Sequence, residues 1–511
     1  MFKRLFCYII YSLCCVLYKK EYNRNLRPGP IKDIQRALLL KIIRQNKNTV
    51  YGKKYDFENI KDITAFQDKV PLTEYEDYLE AINKLKETGE NELFSEPTLL
   101  LEITSGSTSA SKLIPYNQSL KEEFKKGIEP WLYDLYSSYK GIKWGESYFT
   151  ITPATSQQEY TRSGIPIGFE ADSEYFGRLE KRLIDSVMAV PTNIARLSDI
   201  DSFYFETAFY LLIRKHLTFI SIWNPSYLIL LLEYMAEHED MLTKRIWKID
   251  KRHATYVSAI LKDRAFSKLW KDLKVISCWA DGNAKVYAKK LVELFPQTVI
   301  QPKGLLATEG FVSFPFSKEA GARLSIYSHF FEFQSVKDDK IHLAQQLNIG
   351  HDYKVIITTS GGFYRYQLHD VIRVVDIKDD LPIIKFLRKT DNICDLFGEK
   401  LSESFIKETL NKLKIKADFC IIAPETDHYV LYIKSDQIPT GVDEALRSNF
   451  HYDYCRKLGQ LKPLRVFKLC GNPEHDYINV CLSNGQRLGD IKPTLLYPHN
   501  GLKNFFKGEY I

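Results

Sequence analysis

Between residues 99 and 358, six short strand-like runs alternate with helical segments, and that alternation narrows the fold more than any other feature of the chain. The runs are Leu99–Ile103, Tyr148–Thr152, Thr218–Trp223, Val275–Trp279, Thr298–Gln301 and Lys354–Thr358. Helical spacing fills Phe203–Arg214, Tyr227–Glu237 and Lys285–Leu294, with Asn224-Pro225 opening the second of these and Pro296 closing the third. Strands separated by helices fold as a parallel or mixed sheet covered on its faces, so the expected class is α/β. Residues 1–95 are read as a helical cap, since Arg36–Ile43 and Tyr75–Ile82 carry apolar residues three and four apart.

After Asp376 the pattern changes. A polar turn, Asp376–Pro382, leads to a short strand Ile383–Leu387, a helix Ser404–Leu413, paired strands Phe419–Ala423 and Tyr429–Ile433, a helix Val442–Leu458 and a strand Leu464–Leu469. Such a run makes a small α+β domain. The expected division is therefore a large N-terminal domain, 1–386, and a small C-terminal domain, 387–511, with a hinge near Arg388–Asp391.

Bulk properties exclude several classes. A chain of 511 residues exceeds what one core supports, and 45% hydrophobic with 13% aromatic residues leaves little room for disorder. The net charge of +7 is small, and lysines are interleaved with acids, as in Lys121-Glu-Glu-Phe-Lys-Lys126, so nucleic acid is not an expected partner. Nine cysteines without a C-x-x-C pair read as reduced thiols of a cytoplasmic protein. Met1–Arg4 is basic and Leu5–Tyr18 is apolar apart from Ser12, yet Lys19-Lys20-Glu21 follow where a cleavage site would stand. Fourteen helical residues span about 21 Å against a hydrocarbon core of about 30 Å, so this segment packs on the domain or touches a membrane surface, and does not cross it.

The chemistry concentrates in four places. Thr104-Ser-Gly-Ser-Thr-Ser-Ala-Ser-Lys112 follows an apolar strand and holds six hydroxyls, one glycine and a lysine. Gly106 permits a tight turn, the hydroxyls and amides donate to an anion, and Lys112 neutralises phosphate, which points to ATP. It is not a Walker loop, which needs two glycines at fixed spacing before Lys and Ser/Thr. Leu305-Leu-Ala-Thr-Glu-Gly310 follows the strand Thr298–Gln301, at a carboxyl strand end where ligands gather. There Ala307 and Thr308 would meet nucleotide, and Glu309 would hold Mg²⁺, an ion bound through few carboxylates plus phosphate oxygens. Ser360–Asp370 runs through two glycines and three aromatics to Asp370, an acceptor for ribose hydroxyls. Near the C-terminus Lys492, held extended before Pro493, offers charge to a reacting carboxylate or α-phosphate.

The order of these elements resembles the adenylate-forming superfamily and, more narrowly, the plant auxin-responsive Gretchen Hagen family of acyl acid amido synthetases. Thr104–Asn117 looks like that family's phosphate loop, Thr358–Asp370 resembles its Tyr-Arg-Tyr-Arg-Val-Gly-Asp stretch, and Phe386-Leu-Arg-Lys resembles its Phe-Val-Arg-Arg hinge. Cys455–Val466 and Asp490–Pro493 are similar to its Tyr-Arg…Ile-Gly-x-Leu…Arg-Val and Gln-Phe-Lys-x-Pro segments. The resemblance implies that Ser105, Ser107, Thr108 and Lys112 surround phosphates, Thr308 and Glu309 act at the α-phosphate and Mg²⁺, and Asp370 holds ribose. It further implies that Arg388 lies at the hinge, that the small C-terminal domain is mobile about it, and that Lys492 assists adenylation. Departures are Leu305-Leu306 for a Tyr-Gly/Ala pair, Gln367 for Arg, and His369 for Gly.

What the resemblance implies is an ATP- and Mg²⁺-dependent ligase that acts as a monomer, converts a small carboxylic acid to acyl-AMP and passes the acyl group to an amine, an amino acid in the family. An acid–thiol ligase using coenzyme A shares the first half-reaction. A membrane-surface binding protein on a degenerate adenylation fold is the alternative of another class. The aromatics of Ser202–Trp223 and Phe311, Phe314 and Phe316 suit either walls of an acyl pocket or ordinary core packing.

Overall fold

The computed structural model describes the chain except residues 1, 104–111, 151–158, 169–177, 198, 282–283, 390–392, 395, 398, 400, 458–460, 485, 487 and 489–490. Two compact units result, the first ending at Arg388 and the second beginning at Lys389.

In the first unit, four strands form an all-parallel sheet in the order Glu146–Phe149, Leu217–Ser221, Val275–Cys278, Val299–Pro302. Leu217–Ser221 and Val275–Cys278 are buried at every residue, as strands covered on both faces must be. The connecting helices include Pro225–Glu237, whose Asn224 cap accepts from the Ser226 amide and whose first residue is a proline. The expected α/β character is thus present, with strand ends within three residues of the sequence-based bounds.

A second, larger sheet is antiparallel wherever its register is defined, and it was not foreseen as one. Its seven strands run in the order Ser313–Pro315, Ala322–Leu324, Leu381–Lys389, Tyr366–Lys378, Asp352–Thr358, Phe330–Ser335, Ile341–Leu343. The polar turn expected over Asp376–Pro382 is present but shorter: it is the hairpin turn Asp379-Asp380, at φ 50° and 62°, between Tyr366–Lys378 and Leu381–Lys389 of this sheet. Aspartate tolerates that left-handed backbone better than most residues. A third sheet pairs Leu100–Ile103 antiparallel with Leu113–Tyr116, and these two strands bracket residues 104–111. Between the sheets lies the helix Gln118–Ser138, capped by Asn117, whose side chain accepts from the Leu120 amide at 2.8 Å.

The apolar N-terminal segment belongs to a longer helix, Phe2–Leu26. Its Cys7, Ile10, Tyr11, Cys14 and Tyr18 are buried in the main core, and Tyr11 donates to or accepts from Ser147 at 2.6 Å.

The second unit has its own core around Leu401, Ile406, Ile422, Leu431 and Tyr452. A mixed sheet runs Phe419–Pro424, Tyr429–Lys434, Arg465–Leu469, Gly508–Tyr510, flanked by helices that include Glu403–Lys412 and Pro473–Ser483. The helix expected over Val442–Leu458 is two, Val442–Leu446 and Phe450–Lys457, because Asn449 between them turns its side chain back to accept from the Tyr452 amide.

Candidate active site

Three residues beyond the last parallel strand, Leu306–Ala307 and Gly310–Phe311 pair as a minimal hairpin whose two turn residues are Thr308 and Glu309. Tyrosines tether this turn on both sides. Tyr116 donates its hydroxyl to the Thr308 carbonyl at 2.6 Å, and Tyr366 donates to Glu309 Oε1 at 3.3 Å. Burial, reinforced by the neighbouring Glu309 carboxylate, raises the Tyr366 phenol well above its ordinary range, so it stays a donor.

A third tyrosine serves the lysine. Tyr75 donates to the Leu113 carbonyl and accepts from the Leu113 amide, 3.2 and 2.8 Å, while Lys112 Nζ stands 5.2 Å from the centre of the Tyr75 ring. Desolvation raises the Tyr75 phenol, its Leu113 backbone contact opposes this, and Glu309 adds to it. Lys112, Thr308 and Glu309 are therefore linked through Tyr75, Tyr116 and Tyr366 within one unit.

Behind the hairpin lies a buried relay that nothing in the sequence pattern singled out. The Phe311 amide donates to His329 Nε2 at 2.8 Å, so that nitrogen is the acceptor and Nδ1 carries the hydrogen. Nδ1 points at Glu123 Oε2, 3.0 Å away, and Glu123 also accepts from the Ser360 amide and hydroxyl. His329, Glu123 and Ser360 are all buried. Asn117 closes the chain by donating to the Ser360 carbonyl at 2.7 Å. Gly127 lets the helix approach, since a Cβ there would lie 2.2 Å from the Phe311 ring. The sequence signal for this relay is Glu123 on the apolar face of its helix, set among the lysines of Lys121–Lys126.

Asp370 sits in a β-bulge. Pairing steps from Lys354↔Val371 to Ile356↔Gln367, so Leu368, His369 and Asp370 stand opposite the single residue Val355. Asp370 is buried, and His369 takes φ 60°, the left-handed region where the resembled motif has glycine. Glu74 holds the bulge by accepting from Gln367 Nε2 at 2.6 Å and meeting His369 Nε2 at 2.5 Å. Both departures from the family pattern thus converge on one carboxylate. Arg365 is structural: it makes a bidentate pair with Glu332, 3.0 Å at each contact, and donates to the Gln67 and Val70 carbonyls.

The remaining expected residues fall elsewhere. Thr104, Ser105, Gly106, Ser107 and Thr108 lie outside the described residues. Ala307 is the hairpin strand residue paired with Gly310. Arg388 is exposed at the end of the strand Leu381–Lys389, and Lys492 belongs to the second unit, where its carbonyl accepts from Tyr477 at 3.2 Å. Of the two readings of Phe311, Phe314 and Phe316, the structure shows core packing: all three are at most 5% exposed and lie in the main core. Trp223, by contrast, faces the Lys303 ammonium at 4.8 Å beyond a parallel strand.

As a metal site, Glu309 fits only one arrangement. Among the described residues no group of three His, Cys, Asp or Glu side chains converges. A single carboxylate on a turn suits Mg²⁺ completed by substrate phosphates, not an all-protein cage.

The fold is that of solved acyl acid amido synthetases. It superposes on the GH3.15 acyl acid amido synthetase with a TM-score of 0.74 at 19% identity, covering 93% of this chain and 94% of that one. The AtGH3.15 acyl acid amido synthetase in complex with 2,4-DB gives a TM-score of 0.77 at 18% identity, covering 97% and 96%. The model of the GH3 family N-terminal domain matches residues 30–300 and that of the GH3 family central domain matches residues 323–389, so the chain belongs to the GH3 family. Among its relatives, indole-3-acetic acid-amido synthetase GH3.4 of Arabidopsis thaliana is 22% identical over 429 residues, 74% of this chain and 70% of that protein. The 4-substituted benzoates-glutamate ligase GH3.12 of the same plant is 21% identical over 458 residues, 80% and 79%. The resemblance carried by the ordered motifs is borne out.

Proposed function

We propose that this chain is an ATP-dependent acyl acid amido synthetase: it activates a carboxylic acid as acyl-AMP, releasing pyrophosphate, and transfers the acyl group to the amine of an amino acid. The observation that carries this is the Thr308–Glu309 turn, fixed by Tyr116 and Tyr366 in the same unit as Lys112 and Asp370. A free carboxylate has too poor a leaving oxygen to acylate an amine; adenylation bonds that oxygen to the α-phosphate of ATP as pyrophosphate leaves, so that it can depart as part of AMP.

The roles follow from chemistry. Lys112 offsets phosphate charge, together with the hydroxyls and amides of Thr104–Thr108. Thr308 and Ala307 line the nucleotide, Asp370 accepts from ribose, and Lys492 stabilises charge at the α-phosphate during adenylation. Mg²⁺, held by Glu309 and the phosphates, supplies further charge neutralisation. Tyr366 keeps the Glu309 carboxylate aimed, and the His329–Glu123–Ser360 relay keeps the hairpin from rocking. In the second half-reaction the amine nitrogen bonds the acyl carbon, the bond to AMP oxygen breaks, and a proton leaves the nitrogen. No protein nucleophile takes part. The large unit, 1–386, carries nucleotide and acid, and rotation of the small domain, 387–511, about Arg388 exchanges the two half-reactions.

The protein acts as a monomer in the cytoplasm. Its nine cysteines are free thiols, which suits a reducing compartment. Among the described residues no helix is long and apolar enough to cross a membrane.

The test is pyrophosphate release across a panel of carboxylic acids, followed by amino acids or coenzyme A offered to the trapped acyl-AMP. Amide formed with an amino acid supports the assignment; a thioester with coenzyme A and no amide overturns it.

A further inference from the structure

The helix Phe2–Leu26 has two unlike apolar faces. One packs against the helix Gln118–Ser138 and its neighbours and is buried. The other is open: Phe2 is 92% exposed, Val16 73%, and Leu5, Phe6, Ile9 and Leu13 between 42% and 49%. At 3.6 residues per turn these six positions share an arc of about 100° and run about 21 Å along the axis. Single exposed apolar residues are ordinary, but a continuous stripe of them is not.

Charge identifies what covers the stripe. Residues 2–20 contain Lys3, Arg4, Lys19 and Lys20 and no acidic residue; Lys3 is engaged by Glu146 at 3.7 Å, so the positive charge offered to a partner stands at the Lys19–Lys20 end of the apolar ladder. Lys19 and Lys20 are exposed, and Lys20 lies on the same arc one turn beyond Val16. At the stripe's shoulder Tyr8 stacks on the exposed Trp144, centroids 4.5 Å apart. Amphipathic rings of this kind settle at the headgroup level of bilayers. A second copy of the chain meeting this face would set one basic end against the other or leave both uncovered, which gains nothing electrostatically.

We infer that this open face seats the protein on an anionic lipid bilayer, the helix lying in the plane of the surface with its apolar stripe at the boundary of headgroups and acyl chains and its lysines among lipid phosphates. The buried opposite face keeps the helix on the protein, so the contact is monotopic. The inference does not depend on the amide-forming assignment.

Flotation of the full chain with phosphatidylcholine vesicles, with and without phosphatidylglycerol, tests it. The chain is expected to float with the anionic vesicles and to be released from them by high salt. Ile9→Glu/Val16→Glu, both at exposed positions, is expected to lower partitioning at least about tenfold while thermal unfolding and pyrophosphate exchange stay unchanged. Lys19→Glu/Lys20→Glu is expected to abolish the preference for phosphatidylglycerol. Failure of the folded chain to float with either vesicle, or equal flotation of the Ile9→Glu/Val16→Glu variant, would overturn the inference. So would sedimentation showing a dimer that this variant dissociates, since a second copy would then cover the face.

Discussion

The hydroxyl of Tyr366 donates to Glu309 across 3.3 Å, joining a residue of the large antiparallel sheet to the turn of the small hairpin that follows the parallel sheet. Each half of the first unit thereby contributes one member of the pair. If Glu309 holds charge at the phosphates, Glu309→Gln should lower pyrophosphate exchange by about 10²–10³ fold, while Tyr366→Phe should cost about tenfold, because the carboxylate remains but loses its aim. The double variant should be no worse than Glu309→Gln alone. Steady-state exchange rates of the three proteins decide this, and full additivity would separate the two residues.

The relay from Phe311 through His329 to Glu123 and Ser360 is buried throughout, so removing its centre leaves donors without partners. Glu123→Ala should destabilise the first unit by about 2–4 kcal/mol. Denaturant unfolding measures the loss, and a change below about 0.5 kcal/mol would mean the relay is dispensable.

His369→Gly tests the bulge. Glycine relieves the left-handed backbone at φ 60° but gives up the contact with Glu74. The two effects oppose, so stability should change by less than about 1 kcal/mol, whereas KM for ATP should rise several-fold as Asp370 loosens. Glu74→Gln should raise KM in the same direction. Unchanged KM in both variants would detach the clamp from nucleotide binding.

How much of this was legible in the sequence depends on whether a signal was local. The parallel strands announced themselves because Leu217–Ser221 and Val275–Cys278 are short apolar runs broken only by Thr218, Ser221 and Ser277, and Thr308-Glu309 was legible because it follows a strand of this sheet. The seven-stranded sheet was not, since several of its strands, such as Ala322–Leu324, are too short to show a period, and that strand pairs with the distant Leu381–Lys389. Tyr75, Tyr116, Glu123 and His329 matter through contacts that tertiary packing alone creates. Gln367 and His369 looked like isolated departures from a motif until Glu74, nearly 300 residues upstream, was seen to engage both.

Buried phenols set the alkaline limit of stability. Desolvation pushes Tyr78 in the first unit and Tyr497 in the second each up to about 12, against an ordinary value of 10.0. The unfolded chain releases these protons first, so the stability they contribute is complete below pH 10 and is lost as pH rises from 10 through 12. Tyrosinate absorbance should therefore rise in two phases, the later one coinciding with loss of helical circular dichroism. Complete ionisation near pH 10 with the helices intact would contradict the burial of these rings.

Adenylation is tested most directly by ATP–pyrophosphate exchange with carboxylic acids, run in parallel on the wild-type chain, Lys112→Ala and Glu309→Ala. Acid-dependent exchange is expected of the wild type, with near-abolition in both variants. Absence of exchange with every acid, or exchange that survives Glu309→Ala, would contradict it.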